Sequence, residues 1–145
     1  MAKKKKAKKN EPSVSTVLAA VNRIAPPKLA ESWDNVGLQF GHPEAPAGKI
    51  LVALEATSEV LAEAERIKAG TLVTHHPLIF RPAKSFAESA VVPALGARII
   101  RANMAMIAAH TNLDSVALGT NGELADRLEL QVAARKFLKP IQRDA

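Results

Sequence analysis

Apolar residues along this chain follow two spacings, one typical of amphipathic helices and the other of buried strands. Near the amino terminus they recur at intervals of three and four residues, at Val14, Val17, Leu18, Val21 and Ile24. This spacing predicts a helix that Ser13 or Ser15 caps and that the proline pair after Ala25 ends. Residues 32–48 are rich in Gly, Pro, Asn and Asp and are predicted to form a loop.

Three continuous apolar runs of strand length come next, separated by helical segments. The runs are KILVALEAT at 49–57, TLVTHHP at 71–77 and MAMIAAHTNLD at 104–114. The predicted helices lie at 58–70, at 90–103 and from residue 121 onward. For the first of them Thr57 or Ser58 is the expected cap and Gly70 the expected stop. Pro93 can begin the second, since proline is tolerated in the first helical turn.

Strands that alternate with helices indicate right-handed crossovers. They predict an α/β fold with a mostly parallel sheet and helices on both faces. The uninterrupted apolar character of the three runs predicts strands that are buried on both sides. Ligands of such sheets bind beyond the carboxyl ends of the strands, and polar residues stand there in this chain. They are Glu55 after the first strand, His75 and His76 after the second, and His110 with Asp114 after the third.

The adjacent His75 and His76 are the strongest candidates for a metal site. Pro77 lacks a backbone donor and favours extended geometry at His76. Because neighbouring side chains on a strand point apart, one histidine on each of two metal ions is the easier arrangement. Paired ions activate water and clamp a phosphoryl or carbonyl oxygen. The alternative is a pair of surface histidines in a loop.

Other polar residues can complete such a centre. Asp114 provides the oxygen ligand that it needs, although this residue could instead cap the helix that follows. His110 could ligate a metal, support a ligand through a hydrogen bond, or serve as an ordinary structural histidine. Glu55 is a further candidate. His42 lies in a Pro/Gly-rich loop and is most simply a surface residue.

The only tryptophan stands in the segment ESWDNVGLQFG at 31–41. Trp33, Asp34 and Asn35 are predicted to form the wall of a pocket, or else Trp33 packs as a hydrophobic plug. The sequence contains no Gly-rich phosphate loop, no ordered Ser-His-Asp set and no zinc-knuckle spacing. The absence of cysteine also excludes disulfides, thiolate ligands and a catalytic thiol.

Length and composition fit one domain with an aliphatic core, since the chain has 145 residues, 48% hydrophobic and only 3% aromatic. The net charge of +6 comes from six lysines in the first ten residues, whereas the remainder carries 14 basic and 14 acidic residues. Residues 1–12 are therefore predicted to form a disordered, solubilising tail.

The neutral body and the few aromatic residues argue against nucleic-acid binding. With no signal peptide or membrane span in this sequence, we expect a cytoplasmic protein.

Three segments together resemble a known family. ESWDNVGLQFG at 31–41, LVTHHPLIF at 72–80 and AAHTNLDSVALGTNGELADRLEL at 108–130 look like the amino-terminal half of the Ngg-interacting-factor-three-like family. Its members are dinuclear-metal proteins, many of them named GTP cyclohydrolase 1 type 2 homolog. The likeness covers residues 14–130, and the combination of the three motifs is highly specific.

This resemblance implies an α/β protein of two similar lobes that assembles into a toroidal homohexamer, with paired divalent metals facing a central cavity. By motif match, His75 and His76 each ligate one metal and Asp114 ligates one of them. The family usually has Asp where this chain has Glu55. Its carboxy-terminal half adds a His and a Glu, and this chain has no histidine after His110. Residues 13–145 are therefore expected to be a truncated amino-terminal lobe.

Two functions follow from these features as hypotheses. The first is a hydrolase of nucleotides or phosphorylated small molecules that depends on two divalent ions. Imidazole with carboxylate suits Zn, Mn, Fe or Ni. The second is a non-catalytic metal-binding or scaffold protein that acts through its ring-shaped assembly and its protein partners.

Overall fold

A four-stranded mixed sheet forms the centre of the molecule. The computed structural model describes residues 11–131, so the predicted lysine-rich tail falls almost entirely outside the described residues. The strand order is β1-β4-β3-β2. The strands β2, β3 and β4 run parallel, and β1 runs antiparallel to β4, which confirms an α/β fold with a mostly parallel sheet. The strands are β1 Gly37–Phe40, β2 Lys49–Ala53, β3 Ala69–Thr74 and β4 Ala105–Ala108.

Helices cover both faces of this sheet, as predicted. Within the described residues they are α1 Val14–Ile24, α2 Ser58–Ile67, α3 Val91–Arg101, α4 Thr111–Asp114 and α5 Thr120–Arg127. A short 3-10 turn, Pro27–Leu29, follows α1. Ser13 and Thr57 cap α1 and α2, because their hydroxyls accept hydrogen bonds from backbone amides in the first turn. None of these helices has the length and apolar character needed to cross a bilayer.

Two apolar layers hold the helices to the sheet. On one face α2 and α3 bury residues that include Leu61, Leu72, Ile99, Met104 and Met106. On the other face α1 buries Val14 against Ala105 and Ile107 of β4. The central strands β3 and β4 are thus packed from both sides, as the continuous apolar runs indicate.

Residues 37–40 form β1, which corrects the prediction of a loop. Leu38 pairs with Ile107 and Phe40 with Met106, with a shift of register between the two pairs. Leu38 therefore packs in the α1 layer and Phe40 in the opposite layer, although residues two apart on a regular strand share a face. This bulge removes the alternation by which a four-residue strand could be recognised.

β2 is an edge strand and is buried on one face only, which corrects the expectation of burial on both sides. Leu51 and Ala53 pack into the layer of α2 and α3. Among residues 11–131, the α1 layer draws on β1, β4 and β3 and leaves the other side of β2 open. Ile50, Val52 and Leu54 are exposed there, Val52 by 72%. We call these three residues the uncovered β2 face.

The end of α2 also differs from the prediction. The helix ends at Ile67, and Lys68 adopts the left-handed conformation with φ of 57° that a glycine stop would normally take. Gly70 instead lies in β3, where a Cβ would meet the carbonyl oxygen of Ala47 at 2.5 Å. The glycine therefore permits close packing of two backbone segments.

Candidate metal centre

Three histidines converge at the carboxyl ends of β3 and β4. His75 and His76 follow the last residue of β3, and His110 lies two residues beyond β4. The ring centroids are 5.1 Å apart for His75 and His76, 5.1 Å for His75 and His110, and 5.7 Å for His76 and His110. The predicted convergence of strand ends therefore brings these side chains together.

Backbone hydrogen bonds fix the bend that carries the histidine pair. Ala109 N–H donates to the carbonyl of Thr74 at 2.9 Å, and His76 N–H donates to the carbonyl of Leu54 at 2.8 Å. The pair thus lies beyond the regular strand, where side chains need not alternate between faces. His75 and His76 therefore do not point apart as expected for neighbours on a strand, and both rings enter one cluster.

Hydrogen bonds select the ring nitrogen that each of two histidines presents. His75 Nδ1 lies 2.9 Å from the carbonyl oxygen of Ala109. Because a carbonyl only accepts, Nδ1 carries a proton, and in the neutral tautomer the lone pair is then on Nε2. That Nε2 lies 3.6 Å from Asp114 Oδ1. His110 Nδ1 lies 3.0 Å from Asp34 Oδ1, which leaves its Nε2 as the available nitrogen in the same way.

Asp34 is held rigidly beneath His110. Its side chain is inaccessible to solvent and accepts hydrogen bonds from the backbone amides of Thr111 at 3.0 Å and Asn35 at 2.8 Å, and from the Thr111 hydroxyl. Burial raises the pKa of the Asp34 carboxyl, but hydrogen bonds from Thr111, His110 and Asn35 outweigh it, so this pKa lies below its ordinary value. The carboxylate is therefore ionised and aimed at His110. Sequence reasoning placed Asp34 only in a pocket wall.

Two further carboxylates border the cluster. Glu55 Oε2 lies 3.6 Å from His76 Nδ1, and Asp114 lies beside His75. Asp114 also accepts a hydrogen bond from the hydroxyl of Thr120, the first residue of α5. Gly119 is the N-cap residue of α5, and no side chain accepts from the first backbone N–H groups of that helix, so the alternative that Asp114 caps it is wrong. The position of Asp114 beside His75 is compatible with a ligand role.

This donor set fits a divalent transition metal. One ligand nitrogen from each of His75, His76 and His110 lies within 4.8 Å of the other two. Nitrogens around a tetrahedral zinc are about 3.3 Å apart, since each bond is about 2.0 to 2.1 Å long. The nitrogens therefore need to approach one another by at most about 1.5 Å. Imidazole with carboxylate suits Zn, Mn, Fe or Ni.

Aromatic side chains flank the cluster on one side. Trp33 is 59% exposed, so it is not a buried hydrophobic plug. Its ring meets Phe80 edge-on at 5.8 Å, and Phe80 lies 6.1 Å from the His110 ring. The Asn35 amide donates to the carbonyl of Ile79 and so ties the tryptophan segment to this wall. Phe80 was missed from sequence, where it is only one apolar residue after the histidine pair.

A groove opens beside His76 and Glu55. It has a volume of about 370 Å³ and continues along the first residues of α2 and α3. His42, the remaining histidine of the chain, is exposed and lies outside the cluster, where its Nδ1 accepts from the backbone N–H of Glu44. The prediction of a surface role for His42 is confirmed.

Comparison with known proteins gives one consistent family. The sequence profile of Duf34/NIF3 (NGG1p interacting factor 3) matches residues 12–142. A protein from Staphylococcus epidermidis named GTP cyclohydrolase 1 type 2 homolog is 36% identical over 118 residues, which are 81% of this chain and 32% of that protein. A protein of the same name from Clostridium perfringens is 33% identical over 132 residues, 91% of this chain and 50% of that one.

A solved structure agrees with these sequence matches. The crystal structure of a Bacillus cereus protein related to NIF3 superposes with a TM-score of 0.80 and 34% identity, covering 84% of this chain and 34% of that one. The chain thus spans between about a third and a half of the length of these proteins. The fold described above corresponds to only part of theirs.

Proposed function

The chain belongs to the Duf34/NIF3 family, and from that premise we propose that it binds two divalent transition-metal ions at the His75, His76 and Asp114 centre. One observation carries metal binding at this centre, and the proposal of two ions rests on the dinuclear centres of the family. Three imidazoles from two strand ends offer nitrogens within 4.8 Å of one another. Carboxylates border them at 3.6 Å on two sides. Packing alone gives no reason to gather three histidines and two acids at one edge of a sheet.

The groove beside the cluster supports a hydrolase of phosphorylated small molecules or nucleotides as the activity. Its volume of about 370 Å³ lies within the range of small-molecule sites. Divalent ions supply Lewis-acid chemistry to phosphoryl and carbonyl oxygens. The residues of the chain provide the rest: His76 and Glu55 line the groove, and Trp33 with Phe80 forms an apolar wall beside His110.

A non-catalytic scaffold is the second candidate function, and the uncovered β2 face favours it. Ile50, Val52 and Leu54 form an apolar strip on an edge strand, which is a common site of protein contact. In this case metal binding stabilises the domain while assembly with partners is its function. Turnover of phosphate esters by the metal-loaded chain separates the two candidates.

Metal analysis after dialysis tests the proposed centre. We expect the wild type to retain close to two equivalents of a transition metal after exposure to excess Zn, Mn, Fe or Ni. The variants His75→Ala and His76→Ala should each lose about one equivalent, and Asp114→Ala should loosen one ion, because an ion that loses a ligand binds more weakly.

His42→Ala is the matched control, since this histidine is exposed and lies outside the cluster. Circular dichroism of all variants verifies that the domain remains folded. Equal metal content in the wild type and the three site variants, or no uptake by the wild type at millimolar metal, would contradict the proposal.

A further inference from the structure

We propose that His110 is an additional metal ligand of this centre and that the Asp34 carboxylate holds it in the ligating tautomer. This inference rests on the proposed metal binding. It gives the tryptophan segment a function, since Asp34 stands between Trp33 and Asn35. It also adds a ligand that the chain supplies itself.

The hydrogen bond between the two residues determines which nitrogen faces the cluster. Asp34 Oδ1 is 3.0 Å from His110 Nδ1, and the same oxygen accepts a hydrogen bond from the backbone N–H of Asn35, so it acts as an acceptor. The proton of the neutral ring is therefore on Nδ1, and the lone pair is on Nε2. A carboxylate behind a histidine is the arrangement that fixes ring orientation and raises ligand basicity in metal sites.

The surroundings hold this pair in place without a metal. The backbone N–H and hydroxyl of Thr111 both donate to Asp34 Oδ2. Asn112 accepts from the His110 backbone N–H at 2.8 Å and is itself tied to Ala25. The ring therefore has little freedom, and little ordering entropy opposes its ligation.

His75 provides an internal comparison. Its Nδ1 is bonded to a neutral carbonyl, that of Ala109, whereas His110 is bonded to a carboxylate. Both rings keep Nε2 available, and both are held by groups on different segments. His75, His76 and His110 with Asp114 and Glu55 amount to five donors, which is about the number that two ions with a bridging group require.

Two measurements test the inference. Nitrogen-15 NMR of the metal-free wild type should place the His110 proton on Nδ1, and Asp34→Asn should shift that proton toward Nε2. In competition with a chelator for zinc, Asp34→Asn and His110→Gln should each weaken binding of one ion about 10- to 100-fold. X-ray absorption of the zinc-loaded protein should show fewer imidazoles per metal in His110→Gln, whereas His42→Ala should match the wild type.

Each outcome separates the two proposals. A wild type that takes up none of Zn, Mn, Fe or Ni overturns the proposed function. A wild type that binds zinc with an affinity and imidazole count unchanged in His110→Gln overturns only the ligand role of His110. An unchanged tautomer and affinity in Asp34→Asn overturns the role of Asp34. If Asp34→Asn does not fold, His110→Gln still decides the ligand question, and the wild-type spectrum decides the tautomer.

Discussion

At the scale of single residues, the position of His110 depends on a side chain that is not itself a candidate ligand. Asn112 is 1% exposed and connects two segments that are far apart in sequence. Its Oδ1 accepts from the His110 backbone N–H at 2.8 Å, and its Nδ2 donates to the carbonyl of Ala25 at 2.7 Å. The buried amide thus links the turn after β4 to the end of α1.

Replacing this amide should destabilise the domain. We expect Asn112→Ala to lower the free energy of unfolding by about 2 to 4 kcal/mol, because two backbone groups lose their partners in a dry environment. Asn121→Ala is the control, since Asn121 is exposed and its amide donates to the carbonyl of Asp114. Urea unfolding measures both variants. Equal losses of unfolding free energy in Asn112→Ala and Asn121→Ala would show that the buried hydrogen bonds of Asn112 contribute no more than the exposed one of Asn121.

The residues of the centre were predictable to different degrees. His75, His76 and Asp114 could be placed together because strand ends of a parallel sheet meet at one edge. The bond between Asp34 and His110 joins residues 76 positions apart, and no local pattern encodes it. The exposure of Trp33 was equally hidden, because the packing of a loop depends on tertiary contacts.

At the scale of elements, the sequence predicted the helices better than the edges of the sheet. Helical spacing and capping residues located α1, α2 and α3, since these signals are local. β1 was missed because a bulge disrupts its alternation, and β2 was expected to be covered because its run is as apolar as that of β3. Local composition does not reveal which strand lies at the edge of the sheet.

An ion pair fastens α2 to α3. Arg98 forms two hydrogen bonds to the Glu65 carboxylate, at 2.6 and 2.8 Å, and a third to the carbonyl of Ser58 at 3.1 Å. The hydrogen bonds from Arg98 hold the pKa of Glu65 below its ordinary value of 4.5. A carboxyl with a depressed pKa stabilises the fold above that ordinary value, and its contribution disappears as the pH falls through the lower value.

Arg98→Met should therefore lower Tm at neutral pH by at most a few degrees, since exposed ion pairs contribute little. We expect the difference from wild type to shrink as the pH falls below 4.5. Arg66→Met is the control, because Arg66 pairs with Glu63 inside the same helix, α2. Thermal unfolding between pH 3 and pH 7 measures the difference in Tm between each variant and the wild type. A difference that stays constant over this range would assign the effect to the packing of the arginine stem.

At the scale of the whole molecule, the described part of the chain is an α/β unit whose edge strand β2 is open on one side. Its relatives are two to three times as long, since the chain covers between 30% and 50% of their length. On this side of the sheet α1 packs against β1, β4 and β3, and the uncovered β2 face lies next to that covered area. An apolar strip at a sheet edge favours contact with other chains.

We therefore expect the purified chain to be folded but to self-associate without forming a discrete hexamer. Val52→Thr should reduce association and change the free energy of unfolding by no more than about 0.5 kcal/mol, because Val52 is 72% exposed. Val91→Thr is the matched control, since Val91 is 74% exposed at the start of α3. Light scattering over a range of concentrations measures association. A stable hexamer in wild type and variant alike would contradict the prediction.

The parallel pairing of β3 with β4 also sets when the histidine cluster can form during folding. Its rings come from chain segments joined through α3, so a long loop must close before they meet. Such non-local pairing is a slow step for parallel sheets. A ligand that recognises the finished cluster and not the folding transition state slows unfolding without accelerating folding. For this fold a bound ion acts on the lifetime of the native state.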